Sequence, residues 1–176
     1  MLTGPAALVL VDLQHGFVDG DEDARRVVSD ISRFAASAGE RYGVVAASRF
    51  RNEPGSAYWR LVGHEMQDGA EVELVREASA VATHVIDKCT YSSATDELIA
   101  LLDAHGTTEV HVAGVDTDQC VLATVLGLFD HGYEPVLLAD LCVSTAGATC
   151  HEAGLVATRR AIGEDRVIES SRLLDQ

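Results

Sequence analysis

Six short apolar runs, most of them unbroken rather than alternating, constrain what this 176-residue chain can fold into. ALVLVDL within residues 6–13, VVAAS at 44–48, THVID at 83–87, EVHVAGV at 109–115, PVLLA at 135–139 and a weaker RVIES at 166–170 read as strands. A strand covered by helices on both faces has no solvent side to keep polar, so a continuous apolar run marks a buried parallel sheet. Helical spacing fills the gaps at 22–38, 94–104 (Leu98, Leu101 and Leu102), 118–131 (Val121, Leu122, Val125, Leu126 and Phe129) and 149–162. Such alternation gives right-handed βαβ units. The expected fold class is α/β, a three-layer doubly wound sandwich with a mainly parallel six-stranded sheet.

Residues 50–82 break this rhythm. Asn52, Pro54 and Gly55 open a long connection that carries Tyr58, Trp59, His64 and Met66. A connection of that length in a compact domain reads either as a lid or pocket wall, or as a helix or hairpin packed for structure alone. The chain shows no internal repeat, low-complexity tract or linker. With 47% hydrophobic residues, residues 1–176 are expected to form one domain with one site.

The net charge of −15 argues against nucleic-acid phosphates and anionic membranes as partners, because the long-range field repels both. A small molecule is the expected partner. The opening segment MLTGPAALVLVDLQ has no basic leader, and its apolar run stops at Asp12, too short for a membrane span. A cytoplasmic location follows as the expectation. Cys89, Cys120, Cys142 and Cys150 form no C-x-x-C pair and are expected to be reduced thiols.

In an open parallel sheet, ligands bind outside the carboxyl ends of the strands. Asp12 ends the first strand, Lys88 ends the third, and Cys120 follows the fourth after the turn GVDTDQ, so an acid, a cation and a thiol converge on one rim. Lys88 is also the only lysine in a chain with twelve arginines. A compact ammonium fits close to another charge where a broad guanidinium does not. Cys120 falls in the first turn of a helix that Thr117 or Asp118 could cap, where the helix N-terminus and Lys88 favour a thiolate. Asp12 can accept the thiol proton and return it to a leaving amine. Taken singly, each has a bland reading: Cys120 as core, Asp12 as a turn former, Lys88 as a solvated surface residue.

V-D-L-Q-x-x-F at 11–17, K-x-x-Y-S at 88–92 and G-V-D-T-D-x-C-V at 114–121 together resemble the isochorismatase-like cysteine hydrolases, which include nicotinamidases and N-carbamoylsarcosine amidases. The likeness runs from about residue 5 to about residue 165. It implies a catalytic triad of Asp12, Lys88 and Cys120, and a covalent acyl-enzyme that water resolves. It also implies a cis peptide between Val115 and Asp116, and an oxyanion hole from the backbone N–H groups of Asp116 and Cys120. Phe17, Trp59 and Tyr91 are candidate substrate-binding walls, with ordinary core packing as the alternative for each. Relatives commonly associate, so a homo-oligomer is expected.

The sequence departs from the family where metal-binding nicotinamidases carry an Asp-x-His pair after the second strand. Here the residues are Ser48, Arg49, Phe50, Arg51 and Asn52. No metal and no other cofactor is expected. His64 lacks partners, and His15, His84, His105, His111, His131 and His151 show no ligand spacing; a zinc site needs at least three protein ligands. His151, at the start of a helix, reads as a local hydrogen-bonding group. Arg49 and Arg51 are candidates to bind a substrate carboxylate, with pairing to nearby acids such as Glu53 as the alternative.

The thiol favours hydrolysis of an amide or ureido C–N bond over vinyl-ether hydrolysis of an isochorismate-like substrate. A catalytically silent interaction protein of the same fold is the other alternative. A receiver domain fails on position, since Leu13 stands where a second acid is needed and Asp140 follows the fifth strand. Dinucleotide binding fails because DLQHGFVDG lacks G-x-G-x-x-G.

Overall fold

The computed structural model describes residues 5–38 and 41–174. Residues 1–4, part of the opening segment read above for a leader, lie outside the described residues, as do 39–40 and 175–176. Six strands, β1 (Ala6–Val11), β2 (Tyr42–Phe50), β3 (His84–Lys88), β4 (Glu109–Val115), β5 (Glu134–Val143) and β6 (Val167–Ile168), form one sheet in the order β3-β2-β1-β4-β5-β6. Every pairing between named strands is parallel. Among the described residues one isolated antiparallel bridge, Gln14 to Leu74, lies outside them.

Along β1 every residue from Ala7 to Val11 is buried, yet the side chains still alternate between faces. Leu8 and Leu10 pack with α2 (Glu22–Ala38) and α4 (Arg76–Val81), whereas Ala7, Val9 and Val11 pack with α5 (Asp96–Ala104), α6 (Leu122–Asp130) and α7 (Ala148–Ile162). Two covered faces explain the unbroken apolar runs. Among the described residues the three remaining α-helices are short: α1 (His15–Val18), α3 (Ala57–Leu61) and α8 (Ser171–Leu174).

Local chemistry sets the helix starts. Asp21 accepts a hydrogen bond from the Ala24 N–H at 2.8 Å, Glu22 and Asp23 fill the first turn of α2, and Val27, Val28, Ile31 and Phe34 form its buried stripe. Thr95 accepts from the Leu98 N–H at the start of α5 in the same way.

The strands differ from expectation at their ends. β2 and β5 are longer than the apolar runs, because Phe50 and Cys142 are also buried, and β6 shrinks to two residues at the sheet edge. Asp140 consequently lies inside β5, where it accepts from the Ser170 N–H and hydroxyl. The 50–82 connection resolves into α3, a 3-10 turn at Ala70–Val72 and α4. Gln14 ties it down: its amide donates to the Phe50 and Val72 carbonyls and its oxygen accepts from the Phe50 N–H. No helix among the described residues is long and apolar enough to cross a membrane.

This strand order makes the chain reverse direction between β1 and β4, and a crevice opens at the carboxyl ends of strands that diverge in this way. The two strands approach closely there. Gly114, opposite Val11, has φ +130°, and a Cβ on it would sit 2.3 Å from the Val11 carbonyl oxygen, so only glycine fits.

Candidate active site

Asp12 is the first residue past β1 and is 1% exposed. Its φ of +53° lies in the left-handed region, a conformation that costs a non-glycine residue about 1 kcal/mol and that Asp tolerates better than most. Ser48, buried at the end of β2, holds the turn: its hydroxyl accepts from the Asp12 N–H at 3.2 Å and donates to Oδ1 at 2.8 Å. The other oxygen, Oδ2, accepts from Lys88 Nζ at 2.7 Å.

Lys88 closes β3, and its side chain is 0% exposed. The ammonium has three protons and three partners, namely Asp12 Oδ2 and the carbonyls of Thr90 (2.9 Å) and Tyr91 (3.0 Å), while the Phe50 ring lies 5.4 Å away. A guanidinium, with five donors in a planar fork, could not satisfy this tripod, which accounts for one lysine persisting among arginines.

Cys120 sits in a single π-helical turn, Thr117–Val121, that leads from β4 into α6. The peptide between Val115 and Asp116 is cis, as the family resemblance implies. The expected cap is absent: neither Thr117 nor Asp118 caps the turn, and Asp116 occupies the N-cap position with no side-chain hydrogen bond to the N–H groups of the turn. Instead Thr117 Oγ1 pairs with His151 Nδ1 at 2.8 Å, so His151 makes a tertiary contact rather than a local one. Gly154, one turn further along α7, lies against the same segment; a Cβ there would meet the backbone of Thr117 and Asp118 at 2.8 Å.

The thiol is half-buried and lines one pocket with Asp12. Burial pushes its pKa up and the Asp12 charge adds to this, while Lys88 opposes. The thiolate expected at a helix start is therefore not the resting form. The neutral thiol sits beside an acceptor for its proton.

A small pocket, open to solvent, adjoins the thiol. Its walls are a contiguous series of rings: Phe17 to Phe50 at 6.3 Å, Phe50 to Tyr58 at 4.9 Å and Tyr58 to Tyr91 at 6.2 Å between centroids. Val115, Asp116 and Gln119 complete the lining with Asp12 and Cys120. Of the candidate walls, Phe17 and Tyr91 line the pocket and Trp59 does not. Trp59 stacks on His64 at 4.3 Å, and its neighbour Tyr58 takes the wall position because a short helix turns adjacent side chains apart. The 50–82 connection thus supplies a pocket wall.

Arg49 and Arg51 are also absent from the lining. Arg49 donates to both Asp87 oxygens at 2.6 and 3.0 Å and to Glu73 at 3.1 Å, and both arginines hold the Asp87 carboxyl below its usual range, Arg49 through its hydrogen bonds foremost. A signal for this stood in the sequence. Side chains alternate along a strand, so Ser48 and Phe50 share the face turned to the site while Arg49 points away, in register with Asp87 of β3. Ser48, Phe50, Tyr58 and Gln119 are site residues that motif reasoning passed over.

The same segment does not fit a metal such as the zinc of metal-binding nicotinamidases. The Ser48 hydroxyl is committed to Asp12, and Asn52 is committed to Ser56 and to the Gly63 and Glu65 carbonyls. Among the described residues no three His, Cys, Asp or Glu side chains cluster as ligands.

Comparison with known proteins agrees with this architecture. The chain is 33% identical to streptothricin hydrolase of Streptomyces noursei across 76% of its length, and spans about half (48%) of that relative. It is 28% identical to the nicotinamidase/pyrazinamidase of Mycobacterium tuberculosis, covering 81% of this chain and 89% of the relative. The N-carbamoylsarcosine amidase of Thermoplasma acidophilum superposes with a TM-score of 0.80 at 22% identity, over 94% of this chain and 96% of that one, a likeness of fold. The isochorismatase domain matches residues 6–165, and with the sheet order and the rim of β1, β3 and β4 in view, the chain belongs to the isochorismatase family.

Proposed function

We propose that the protein is a cysteine-dependent hydrolase of a small-molecule amide or ureido C–N bond, acting through a covalent acyl-enzyme with Asp12, Lys88 and Cys120 as its triad. The observation that carries this reading is the position of Asp12, which lines one pocket with Cys120 and is paired with the buried Lys88 ammonium at 2.7 Å. The names of the relatives, a nicotinamidase/pyrazinamidase and an N-carbamoylsarcosine amidase among them, point to the same bond type.

In this mechanism Sγ of Cys120 attacks the carbonyl carbon as Asp12 takes the thiol proton. The oxyanion that forms is stabilised by the N–H groups of Asp116 and Cys120. Collapse breaks the C–N bond, and the leaving amine takes the proton from Asp12, leaving a thioester. Asp12 then deprotonates a water that attacks the thioester; the sulfur leaves, recovers a proton from Asp12 and frees the acid. Lys88, with its three protons committed, acts by holding Asp12 in place and balancing its charge.

The test is ammonia release from a panel of nicotinamide, pyrazinamide and N-carbamoylsarcosine. Cys120→Ala should lower turnover by at least about a thousandfold, the scale on which a nucleophile's loss is felt. A slow substrate should leave an acyl mass on Cys120. Full turnover by Cys120→Ala would remove the acyl-enzyme mechanism.

A further inference from the structure

Four aromatic residues and two aspartates line the pocket beside Cys120, and the lining contains no lysine, arginine or histidine. The Asp12 charge is balanced by Lys88. The Asp116 carboxylate is held by neutral donors only: Oδ1 accepts from the Thr145 N–H at 2.7 Å and Oδ2 from the Thr145 hydroxyl at 3.0 Å. Burial foremost raises its pKa and the charges of Asp118 and Asp12 add to this, while the two Thr145 hydrogen bonds oppose and favour the carboxylate.

Two nearby cations are committed elsewhere, and Arg51 is not among the lining residues. Lys88 has given its three protons to Asp12 and two carbonyls, and Arg49 is bound to Asp87 and Glu73. A ligand carboxylate entering the pocket would meet Asp116 with no counter-charge on the walls. A ligand ammonium would meet Asp116 on the pocket wall, together with Phe17, Tyr58 and Tyr91. The net charge of −15 draws cations toward the molecule as well.

We propose that this pocket selects small amides that carry a positively charged group, with Asp116 as the residue that sets the charge preference and the aromatic walls as its supports. This rests on Cys120 being the group that meets the substrate, and it replaces a substrate carboxylate held by Arg49 and Arg51 with the opposite charge held by Asp116.

Thiol labelling reads this preference without turnover. The native protein is treated at pH 7 with 2-aminoethyl methanethiosulfonate, a cation, or 2-sulfonatoethyl methanethiosulfonate, an anion. In each case the Cys120 sulfur forms a disulfide with the reagent and methanesulfinate leaves. Mass mapping of the Cys120 peptide gives the two rates, and their ratio is divided by the ratio for the urea-unfolded chain to remove intrinsic reactivity.

The corrected ratio should favour the cation by at least about tenfold at low salt and shrink in 1 M salt. Asp116→Asn, which keeps an oxygen for Thr145, should lower it about tenfold, although the global charge changes by only one. A ratio near one in the native protein, a preference for the anion, or a ratio unchanged in Asp116→Asn overturns the proposal.

A panel of size-matched amides bearing an ammonium, no charge or a carboxylate separates this inference from the hydrolase reading. Turnover that favours the carboxylate series sinks the charge preference and leaves the hydrolase. A cation preference in labelling that depends on Asp116, with no ammonia released from any amide, sinks the hydrolase and leaves the charge preference.

Discussion

At the carboxyl ends of the strands Lys88 and Asp12 are buried as an ion pair 2.7 Å apart, with side chains 0% and 1% exposed. At the opposite end of the sheet His111 is buried as deeply, and there the fold disfavours charge. Its Nδ1 pairs with the Tyr42 hydroxyl at 2.7 Å and its Nε2 with Glu109 at 3.1 Å, while Arg166 joins Glu109 to Glu134 at the surface. Burial lowers the His111 pKa, and Glu109 opposes without reversing it. The two ends solve one problem in two ways. The rim keeps both charges by giving every ammonium proton an acceptor, whereas the base favours a neutral ring.

Breaking the rim pair should produce the largest effect. Lys88→Met leaves the Asp12 carboxylate buried without its counter-charge, a change that costs about 3–5 kcal/mol when one partner of a buried pair is removed. Chemical denaturation should show that loss, and turnover should fall at least about a hundredfold because Asp12 is no longer poised between ammonium and thiol. Lys88→Arg should rescue neither, since the site has acceptors for three protons in a tripod.

The base responds to acid. With the folded pKa of His111 lowered, the unfolded chain binds a proton that the native state resists, so stability is complete above about pH 6.5 and is lost as pH falls from there toward the lowered folded value. The slope from this one group is at most about 1.4 kcal/mol per pH unit. His111→Gln removes the titration; urea midpoints at pH 7.5 and 5.5 should diverge less in the variant than in the native chain. Equal divergence in both would place the acid sensitivity elsewhere.

Arg49 marks the smallest effect, because it belongs to the outer surface of the rim rather than to the pocket. Arg49→Ala should change KM by less than about twofold for any substrate found, and stability by about 1 kcal/mol or less, as expected for exposed ion pairs. A tenfold rise in KM would return this arginine to the binding site.

How much of this could be read from the chain varies by residue. The strands of the sheet were legible because burial on both faces forces apolar residues into uninterrupted runs, and the convergence of Asp12, Lys88 and Cys120 followed from the rule that loops at the carboxyl ends of parallel strands share one rim. The roles of Arg49 and Trp59 were not legible from motif position alone. Arg49 turns away because its neighbours Ser48 and Phe50 take the inner face, and it finds Asp87 on a strand thirty-eight residues along the chain. Trp59 gives way to Tyr58 by the phase of a five-residue helix.

The sequence by itself determined the layered α/β fold and the three residues at its rim, since both follow from periodicity and from where strands end. Only the tertiary structure decided how those residues are charged and what surrounds them. Burial and Asp12 raise the Cys120 pKa, three acceptors fix Lys88, Ser48 holds Asp12, and Asp116 rather than an arginine faces the pocket. The reason is physical: hydrogen bonds and desolvation depend on atoms brought within a few ångströms by strands far apart in the chain, and a linear pattern records neither distance nor burial.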